Sequence, residues 1–347
     1  MDKTMPALVN YASAPHSVEM REVPVPTIGE DDVLLRVAAV GVCGSDLHQY
    51  HGSHSWKVNY PVILGHEFAG TVVEAGARVT AFAPGERVVS ETAAVIDPAS
   101  PMSRSGAYHL DPARMGFGYG VDGAMTEYAR VPSRCLHRLP DEVSFENAAL
   151  TEPCCVAYNA ACVQSPIRPG VSVAVIGPGP IGLLCATMAL HAGAAPLIVI
   201  GVERDWPRLK AAQRIGATHT LVAAPGLVEE AKSIGDGYGV DVVIDAAGVS
   251  ASLQTALGIV RPGGHITKVG WGPQPLGFSL DPLVQKAVTL QGSFSHNWPI
   301  WERVIGMMAS GRLDLAPVLS AVRPLASWRE CFDGMQQGDM VKAVLTP

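Results

Sequence analysis

The strongest constraint on the fold comes from the middle of the chain, where an apolar strand runs into a glycine-rich turn. Val171–Ile176 is a run of strand length that is apolar except for Ser172, and Ile181–His191 has the composition of a buried helix. The six residues Gly177-Pro178-Gly179-Pro180-Ile181-Gly182 join them. A G-x-G-x-x-G sequence alone is a weak signal, but between a strand and a helix it predicts a dinucleotide site.

The residues of this turn have distinct predicted tasks. Gly177 makes the tight turn, Gly179 lets the backbone approach a pyrophosphate, and Gly182 lets the helix pack closely on the strand. Pro180 and Ile181 open the helix, and the fixed φ of proline suits a first helical turn. The free N–H groups at this helix start are expected to bind the phosphate oxygens.

The cofactor is predicted from the end of the next strand, Leu197–Val202. Glu203 follows it, 26 residues after Gly177. An acidic residue at this distance is expected to bind the ribose hydroxyls of NAD and to repel the additional phosphate of NADP. Arg204 comes next and leaves NADP as the alternative, so we predict NAD.

Strands and helices continue to alternate up to residue 292. Further strands are expected at 218–223, 240–245, 265–270 and 289–292, with helices between them. This pattern predicts six strands of a doubly wound parallel (Rossmann) sheet, the α/β fold class, in a domain spanning residues 156–292. The segment before about residue 120 is different, because its strands are short and separated by many turn residues, which favours a small irregular barrel.

Composition excludes several other classes of protein. A chain of 347 residues suggests two domains, and a net charge of −7 without a basic cluster argues against a nucleic-acid partner. Seven scattered cysteines fit a reducing, cytoplasmic location. No apolar run predicts a membrane span, and Met1-Asp2-Lys3-Thr4 has no apolar core of a signal peptide.

A metal site is predicted in the N-terminal part, where Cys43 is followed 23 residues later by His66 and Glu67. Thiolate, imidazole and carboxylate are the protein ligands of zinc, and three of them with an open position are typical of a catalytic site. Asp46 could orient the imidazole of His66. Ser45 and His48 could carry a proton away from a substrate oxygen at the metal.

The motifs G-V-C-G-S-D-L-H (residues 41–48) and G-H-E-x-x-G (65–70) resemble the zinc-dependent medium-chain alcohol and polyol dehydrogenases, in their sorbitol dehydrogenase-like branch. The resemblance runs almost from end to end. It implies a chaperonin-10-like β-barrel catalytic domain at residues 1–155, completed by a return segment at 293–347. The active site is expected in the cleft between the two domains, with Ser45 and His48 as the proton relay.

The same resemblance implies further site residues. Glu152, which precedes a proline, is a fourth ligand candidate that binds zinc directly or through water, unless it is an ordinary surface carboxylate. Whether Glu67 or Glu152 is the bound carboxylate stays open. Lys342 is expected at the cofactor pyrophosphate, with an exposed strand lysine as the alternative. Other expected contacts are Val269, Gly270, Ser293 and Phe294 for the cofactor, and Tyr50, Trp56, Phe294 and Asn297 for the substrate pocket.

Relatives commonly hold a second, structural zinc with four cysteines. The corresponding positions here are Asp97, Ser100, Ser103 and Asp111, so we predict one catalytic zinc and no structural zinc.

The predicted function is hydride transfer between the CH–OH group of a polyol, sugar or secondary alcohol and NAD. L-Threonine or a simple alcohol is the alternative substrate. A zinc-free quinone or enone reductase, and a nucleotide-binding protein without catalysis, are the alternative functions. A homo-dimer or homo-tetramer is expected, paired through the edge strand at 289–292.

Overall fold

The computed structural model describes residues 4–272 and 274–347, which form two compact units. Unit 1 comprises Met1–Glu152, Asn297–Leu315 and Leu319–Pro347, and unit 2 comprises Pro153–His296 and Ala316–Val318. The first segment of unit 1 ends at Glu152, three residues before the predicted boundary at 155. The first segment of unit 2 ends at His296, four residues after the predicted boundary at 292. The expectation of no signal peptide was based in part on residues 1–3, and these lie outside the described residues.

The secondary structure alternates short strands and helices in both units. The strands are β1 (Thr4–Asn10), β2 (Val18–Pro24), β3 (Asp32–Gly41), β4 (Val62–Ile63), β5 (Glu67–Ala75), β6 (Arg87–Ser90), β7 (Tyr128–Pro132), β8 (Leu136–Arg138), β9 (Val173–Ile176), β10 (Leu197–Gly201), β11 (His219–Val222), β12 (Val240–Asp245), β13 (Val260–Lys268), β14 (Thr289–Gly292), β15 (Leu319–Pro324) and β16 (Lys342–Thr346). The helices are α1 (Gly44–Tyr50), α2 (Pro101–Arg104), α3 (Phe145–Ala148), α4 (Thr151–Tyr158), α5 (Pro180–His191), α6 (Trp206–Ile215), α7 (Leu227–Ser233), α8 (Ser250–Ile259), α9 (Asp281–Gln285), α10 (Trp298–Ala309) and α11 (Trp328–Gln337).

Unit 1 is built on short, mostly antiparallel strands. One sheet has the order β2-β1-β4, and a larger one has the order β15-β16-β3-β5-β6-β8, with β7 also paired to β3. The central strand β3 is nearly all apolar, and only Arg36 in it is exposed. Leu35, Phe68 and Phe332 belong to the core packed against this sheet. The irregular β-rich unit predicted for the N-terminal half is therefore present.

Unit 2 contains a six-stranded parallel sheet in the order β11-β10-β9-β12-β13-β14. All four residues of β9 are buried, as expected for a strand covered by helices on both faces. The order reverses direction beside β9, which creates a crevice at the carboxyl ends of the strands where dinucleotides bind in such folds. The predicted doubly wound parallel sheet is confirmed.

No helix among the described residues is long and apolar enough to cross a membrane.

Candidate functional site

Three potential metal ligands meet in unit 1 beside the first turn of α1. Cys43 is the residue before this helix, His66 precedes β5, and Glu67 is the first residue of that strand. Their ligand atoms, one from each side chain, all lie within 4.8 Å of one another. Within residues 4–272 and 274–347, this is the group of His, Cys, Asp and Glu side chains that could hold a metal ion. A thiolate, an imidazole and a carboxylate at this separation fit zinc.

Asp46 connects the helix start to the histidine. Its Oδ2 accepts a hydrogen bond from the Cys43 N–H at 2.9 Å, which caps α1. Its Oδ1 lies 3.8 Å from His66 Nδ1, within range of a charge interaction but too far for a hydrogen bond. Asp46 is fully buried, and this burial raises the pKa of its carboxyl despite the opposing effect of His66. The Asp46 carboxylate thus faces Nδ1 of His66, the histidine that the sequence analysis expected it to orient.

The other ring nitrogen of His66 lies near Ser45. Ser45 Oγ is 3.5 Å from His66 Nε2, so the hydroxyl is beside the candidate ligands. Burial disfavours a charge on His66, but the negative charges of Cys43 and Asp46 outweigh it and raise the pKa of the imidazole. A more basic imidazole is a stronger donor to a metal ion.

Glu67 is paired with Lys342, a contact that the sequence did not predict. Lys342 is 1% exposed, and its Nζ donates to Glu67 Oε1 and to the Val42 carbonyl, each at 2.7 Å. Glu67 Oε2 lies 2.5 Å from Nζ but outside hydrogen-bonding geometry. Burial disfavours the ammonium, but the attraction of Glu67 outweighs it and raises the pKa of Lys342. The alternative of an exposed strand lysine is therefore wrong, because the ammonium of Lys342 is buried and bonded to Glu67. Its role at the cofactor pyrophosphate stays a prediction.

Gly41 leaves room for this carboxylate. A Cβ built on Gly41 would lie 2.1 Å from Glu67 Oε2, which is far below any tolerated contact. The last residue of β3 pairs directly with Glu67 on β5, so the two backbones are fixed beside each other. Only glycine fits here while the carboxylate keeps its position.

Glu152 lies in the first turn of α4 and is 8% exposed. It is not part of the three-atom cluster, but its charge acts on His66, Glu67 and Lys342. The reading of Glu152 as an ordinary surface carboxylate is therefore wrong. A buried carboxylate close to the cluster stays available for a metal-bound or substrate-binding role.

His48 lies one helical turn after Ser45, so the two side chains share a face of α1. Its Nδ1 is 3.0 Å from Ser53 Oγ, and Trp56 packs edge-on against the ring. Burial, followed by the nearby His51 and His54, lowers the pKa of His48. This shift favours the neutral imidazole, the form that can accept a proton.

Two of the residues predicted for the substrate pocket have other roles. Tyr50 is 8% exposed and packs edge-on against Trp328 and Phe332, so it belongs to the core. Asn297 Nδ2 donates to the Gly106 carbonyl at 3.1 Å and holds a surface segment. Trp56 contacts His48 as described, and Phe294 is 38% exposed beside Trp271 in unit 2.

The segment of residues 97–111, here called the lobe, is organised by one carboxylate. Asp111 Oδ2 accepts hydrogen bonds from Ser100 Oγ (2.9 Å), Ser103 Oγ (3.1 Å) and the Asp97 N–H (3.0 Å). Asp111 Oδ1 accepts one from the Ala113 N–H at 2.9 Å. Asp97, Ser100, Ser103 and Asp111 are thus connected directly by hydrogen bonds. The bond from Ala113 is the largest of several that lower the pKa of Asp111, against a smaller opposing effect of burial.

Asp111→Asn should loosen the lobe, because an amide NH₂ would face donors that now bond to a carboxylate oxygen. The expected result is faster proteolysis within residues 97–111 and a lower thermal midpoint at pH 7. The folded-state pKa is depressed, so the carboxylate stabilises the protein above the unfolded value near 3.8 and loses this effect as the pH falls through the folded value. The difference between wild type and variant should therefore shrink in acid.

Asp97→Asn is the matched control, because among the described residues the Asp97 side chain accepts one bond, from the Ala99 N–H at 2.9 Å, whereas the Asp111 side chain accepts four. Equal effects of the two substitutions would contradict the central role of Asp111.

The glycine-rich turn of unit 2 has the geometry expected of a phosphate-binding turn. A Cβ on Gly177 would lie 2.8 Å from the Ala247 nitrogen, and one on Gly182 would lie 1.8 Å from the Gly177 carbonyl oxygen. No atom of the described residues lies within 4 Å of a Cβ built on Gly179, so this side of the turn is open for a ligand. Pro180 begins α5 and Ile181 follows it, as predicted.

Acidic and basic residues alternate in the chain that follows β10. Glu203 is exposed at the predicted place, and Arg204 follows it, also exposed. Asp205 accepts a hydrogen bond from the Val202 N–H at 3.0 Å, and its other oxygen lies 3.7 Å from Arg208 Nη1. The sequence analysis did not name Arg208 as a residue of this strand end. Its place five residues after Glu203, in the first turn of α6, could have indicated it.

The other predicted cofactor residues lie at the carboxyl ends of β13 and β14. Val269 and Gly270 follow β13, and both N–H groups donate to the Asp245 carbonyl at 2.9 Å. Ser293 follows β14 and is 8% exposed, and its Oγ makes no hydrogen bond to any described residue. A buried hydroxyl in this state fits a position that faces a ligand.

Comparison with protein families matches both units of the chain. Residues 29–141 match the alcohol dehydrogenase GroES-like domain, and residues 180–310 match the zinc-binding dehydrogenase domain. D-Arabitol-phosphate dehydrogenase of Enterococcus avium is 33% identical over 347 residues, covering 99% of this chain and 98% of that protein. The chain belongs to the zinc-binding dehydrogenase family. It is therefore an oxidoreductase, and the chaperonin-10-like domain that the resemblance implied is confirmed.

Two further relatives match this chain over 99% of its length. Sorbitol dehydrogenase of Halalkalibacterium halodurans is 34% identical over 345 residues, covering 99% of both proteins. A crystal structure described as that of a zinc-binding dehydrogenase of Sinorhizobium meliloti 1021 bound to NADP has a TM-score of 0.89 and 28% identity. It covers 99% of this chain and all of that one. These comparisons support zinc and a nicotinamide cofactor as the groups that the chain binds.

Proposed function

We propose that this dehydrogenase transfers a hydride between the CH–OH group of a polyol or sugar and NAD at a single zinc site. The observation that carries this proposal is the cluster of Cys43, His66 and Glu67 within 4.8 Å. The relatives that act on arabitol phosphate and sorbitol support the substrate class. A zinc-free quinone reductase or a protein without catalysis would need neither this cluster nor the adjacent Ser45.

Cys43, His66 and Glu67 are the proposed zinc ligands, with Glu152 as a neighbouring carboxylate. The charge of Lys342 helps to keep Glu67 ionised in a buried position, which favours ligand function. When bound, zinc supplies a Lewis acid that lowers the pKa of a substrate hydroxyl. One zinc per chain is proposed, because aspartate and serine replace thiolate in the lobe and already bond to one another.

The chain's own residues move the proton. Ser45 accepts it from the substrate hydroxyl and passes it toward His48, one turn further along α1. Neutral His48 is suited to receive it, and Ser53 holds its Nδ1 at 3.0 Å. Asp46 fixes the orientation of His66 through its buried carboxylate.

NAD is the proposed cofactor, and wild-type kcat/KM should be at least about tenfold higher with NAD than with NADP. Glu203 places a negative charge where the additional phosphate would bind. Glu203→Ser should reduce this preference, whereas Glu230→Ser, an exposed glutamate of α7 in the same unit, should leave it unchanged. A wild-type preference for NADP would contradict this prediction and would assign the phosphate to Arg204 and Arg208.

A phosphorylated polyol is the second candidate substrate. The loop after α1 carries His51, His54 and Lys57 and contains no acidic residue between 47 and 66. Imidazolium, ammonium and hydroxyl groups are suitable donors to phosphate oxygens. The relative that acts on arabitol phosphate supports this candidate, and L-threonine and simple alcohols stay as alternatives.

A screen of NADH formation tests the proposed function. Sorbitol, arabitol, xylitol and their monophosphates are compared with L-threonine, 2,3-butanediol and ethanol, each with and without a chelator. Turnover of a polyol or polyol phosphate that the chelator abolishes is expected. Turnover confined to threonine or ethanol, or unaffected by chelation, would contradict the proposal.

We also propose a homo-dimer or homo-tetramer and a cytoplasmic location. The edge strand β14 leaves one side of its sheet unpaired, and Leu290 in it is 38% exposed. The seven cysteines are scattered along the sequence, which suits a reducing compartment.

A further inference from the structure

An ion pair between a buried and a partly exposed residue lies at the carboxyl edge of the parallel sheet in unit 2. Asp245 is the last residue of β12 and Lys268 the last of β13, and the two residues are direct partners in the strand register. Lys268 Nζ lies 3.1 Å from Asp245 Oδ2. Asp245 is fully buried, whereas the Lys268 side chain is 30% exposed. Strands of a parallel sheet covered on both faces are normally apolar throughout, so a charge pair here is exceptional.

The pair holds two loops through hydrogen bonds. Asp245 Oδ1 accepts bonds from the Ala247 N–H (3.2 Å), the Gly248 N–H (3.3 Å) and Ser252 Oγ (2.8 Å). Lys268 Nζ also donates to the Gly270 carbonyl at 3.0 Å. The loop after β12 is thus fixed to the carboxylate, and the loop after β13 is fixed to the ammonium.

The loop after β12 packs on the glycine-rich turn, and the loop after β13 packs on the loop after β12. A Cβ on Gly177 would lie 2.8 Å from the Ala247 nitrogen, and one on Gly270 would lie 2.4 Å from the Gly248 nitrogen. A Cβ on Gly248 would lie 2.2 Å from the Trp271 carbonyl oxygen. Backbone therefore meets backbone at three successive contacts, and the loop after β12 connects the loop after β13 to the turn.

A second observation indicates that this edge faces a ligand. The Ser293 N–H donates to the Lys268 carbonyl at 2.9 Å, so this serine is attached to the same edge. Its Oγ is buried and makes no hydrogen bond to a described residue. A buried hydroxyl without a partner is costly unless a bound molecule or water satisfies it.

We propose that Asp245 and Lys268 are positioning residues for the nicotinamide cofactor. Their ion pair holds the loop at 269–272 against the loop at 246–248, which in turn packs on the Gly177 turn, so that the cofactor site is formed before binding. This inference rests on the proposed function, because it requires that unit 2 bind NAD or NADP. Buried ion pairs often contribute little to stability compared with apolar residues, and geometric specificity is a better-supported use of such a pair. Pre-organisation of a site increases affinity by removing the cost of ordering it.

Lys268→Met tests this role, with Lys286→Met as the matched control. Lys286 is also a partly buried lysine of unit 2, but its Nζ donates to the carbonyls of Leu257, Gly258 and Val260 at the opposite end of β13. NADH affinity is measured by fluorescence titration of the full chain, together with the thermal midpoint. Lys268→Met should weaken NADH binding at least about tenfold, since displacement of a binding loop has effects of this order or larger. Lys286→Met should lower the midpoint while keeping the wild-type affinity, and Lys268→Arg should restore most of the affinity.

Ser252→Ala keeps both charges and provides a second variant if Lys268→Met does not fold. It removes the 2.8 Å bond to Asp245 Oδ1 and should weaken NADH binding by a smaller factor. Wild-type affinity in both Lys268→Met and Ser252→Ala, or equal weakening by Lys286→Met, would overturn the positioning role. Failure of the wild-type protein to bind NADH or NADPH would instead contradict the proposed function itself.

Discussion

Lys342→Met should destabilise the protein by about 3–5 kcal/mol, because it leaves the Glu67 carboxylate buried without its partner. Glu67 is fully buried, and Lys342 supplies both its hydrogen bond at 2.7 Å and its neutralising charge. Methionine has a similar volume, so the effect would come from the lost charge rather than from a cavity. The ammonium also bonds the Val42 carbonyl, next to Cys43, and this bond would be lost too.

The measurement is thermal and denaturant unfolding in the presence of a chelator, so that metal binding does not contribute. A decrease in the thermal midpoint of roughly 10 °C is expected. The double variant Lys342→Met/Glu67→Gln should recover part of the loss, because the unpaired charge is removed. Lys210→Met, at an exposed lysine of α6, should leave the midpoint unchanged. Wild-type stability of Lys342→Met would show that Glu67 does not need its partner.

Cys43→Ser should remove zinc from the protein and reduce turnover by about 10³-fold or more, since a Lewis acid contributes several kcal/mol to such a reaction. A serine hydroxyl stays protonated near neutral pH and is a poor zinc ligand, whereas thiolate is among the best. The change replaces one atom, and Cys43 lies before α1 with its backbone N–H held by Asp46, so the local fold should persist.

Ser45→Ala separates loss of metal from loss of proton transfer. It should retain zinc and lower turnover by about 10²–10⁴-fold, the usual contribution of an acid–base group. Loss of zinc from Ser45→Ala, or full turnover by Cys43→Ser, would contradict the assigned roles.

The nucleotide-binding unit was predictable because its signals are local. An apolar strand, a glycine-rich turn and an apolar helix follow one another within residues 171–191, and each restricts the backbone independently. The sheet forms as expected, with β12 and β14 at the predicted bounds. The ion pair of Asp245 and Lys268 was not predicted, because nothing in the sequence indicates that two strand ends 23 residues apart become direct neighbours.

The lobe and the environment of Glu67 show where sequence reasoning ends. The absence of cysteine at 97, 100, 103 and 111 was readable, but the convergence of four hydrogen bonds on Asp111 depends on the folded chain. Lys342 meets Glu67 across 275 residues of sequence. A strand lysine carries no local sign that it will be buried, and its pairing became visible only with the β16–β3–β5 order of the sheet.

Zinc content per chain, measured by elemental analysis together with activity, tests whether Cys43, His66 and Glu67 hold a single catalytic zinc. We expect about one zinc in the wild-type protein, close to none in Cys43→Ser, and about one in Ser45→Ala. A chelator should remove the zinc and the activity of the wild type while leaving its thermal midpoint mostly unchanged. Two tightly held zinc ions in the wild type, or zinc and activity retained in Cys43→Ser, would contradict it.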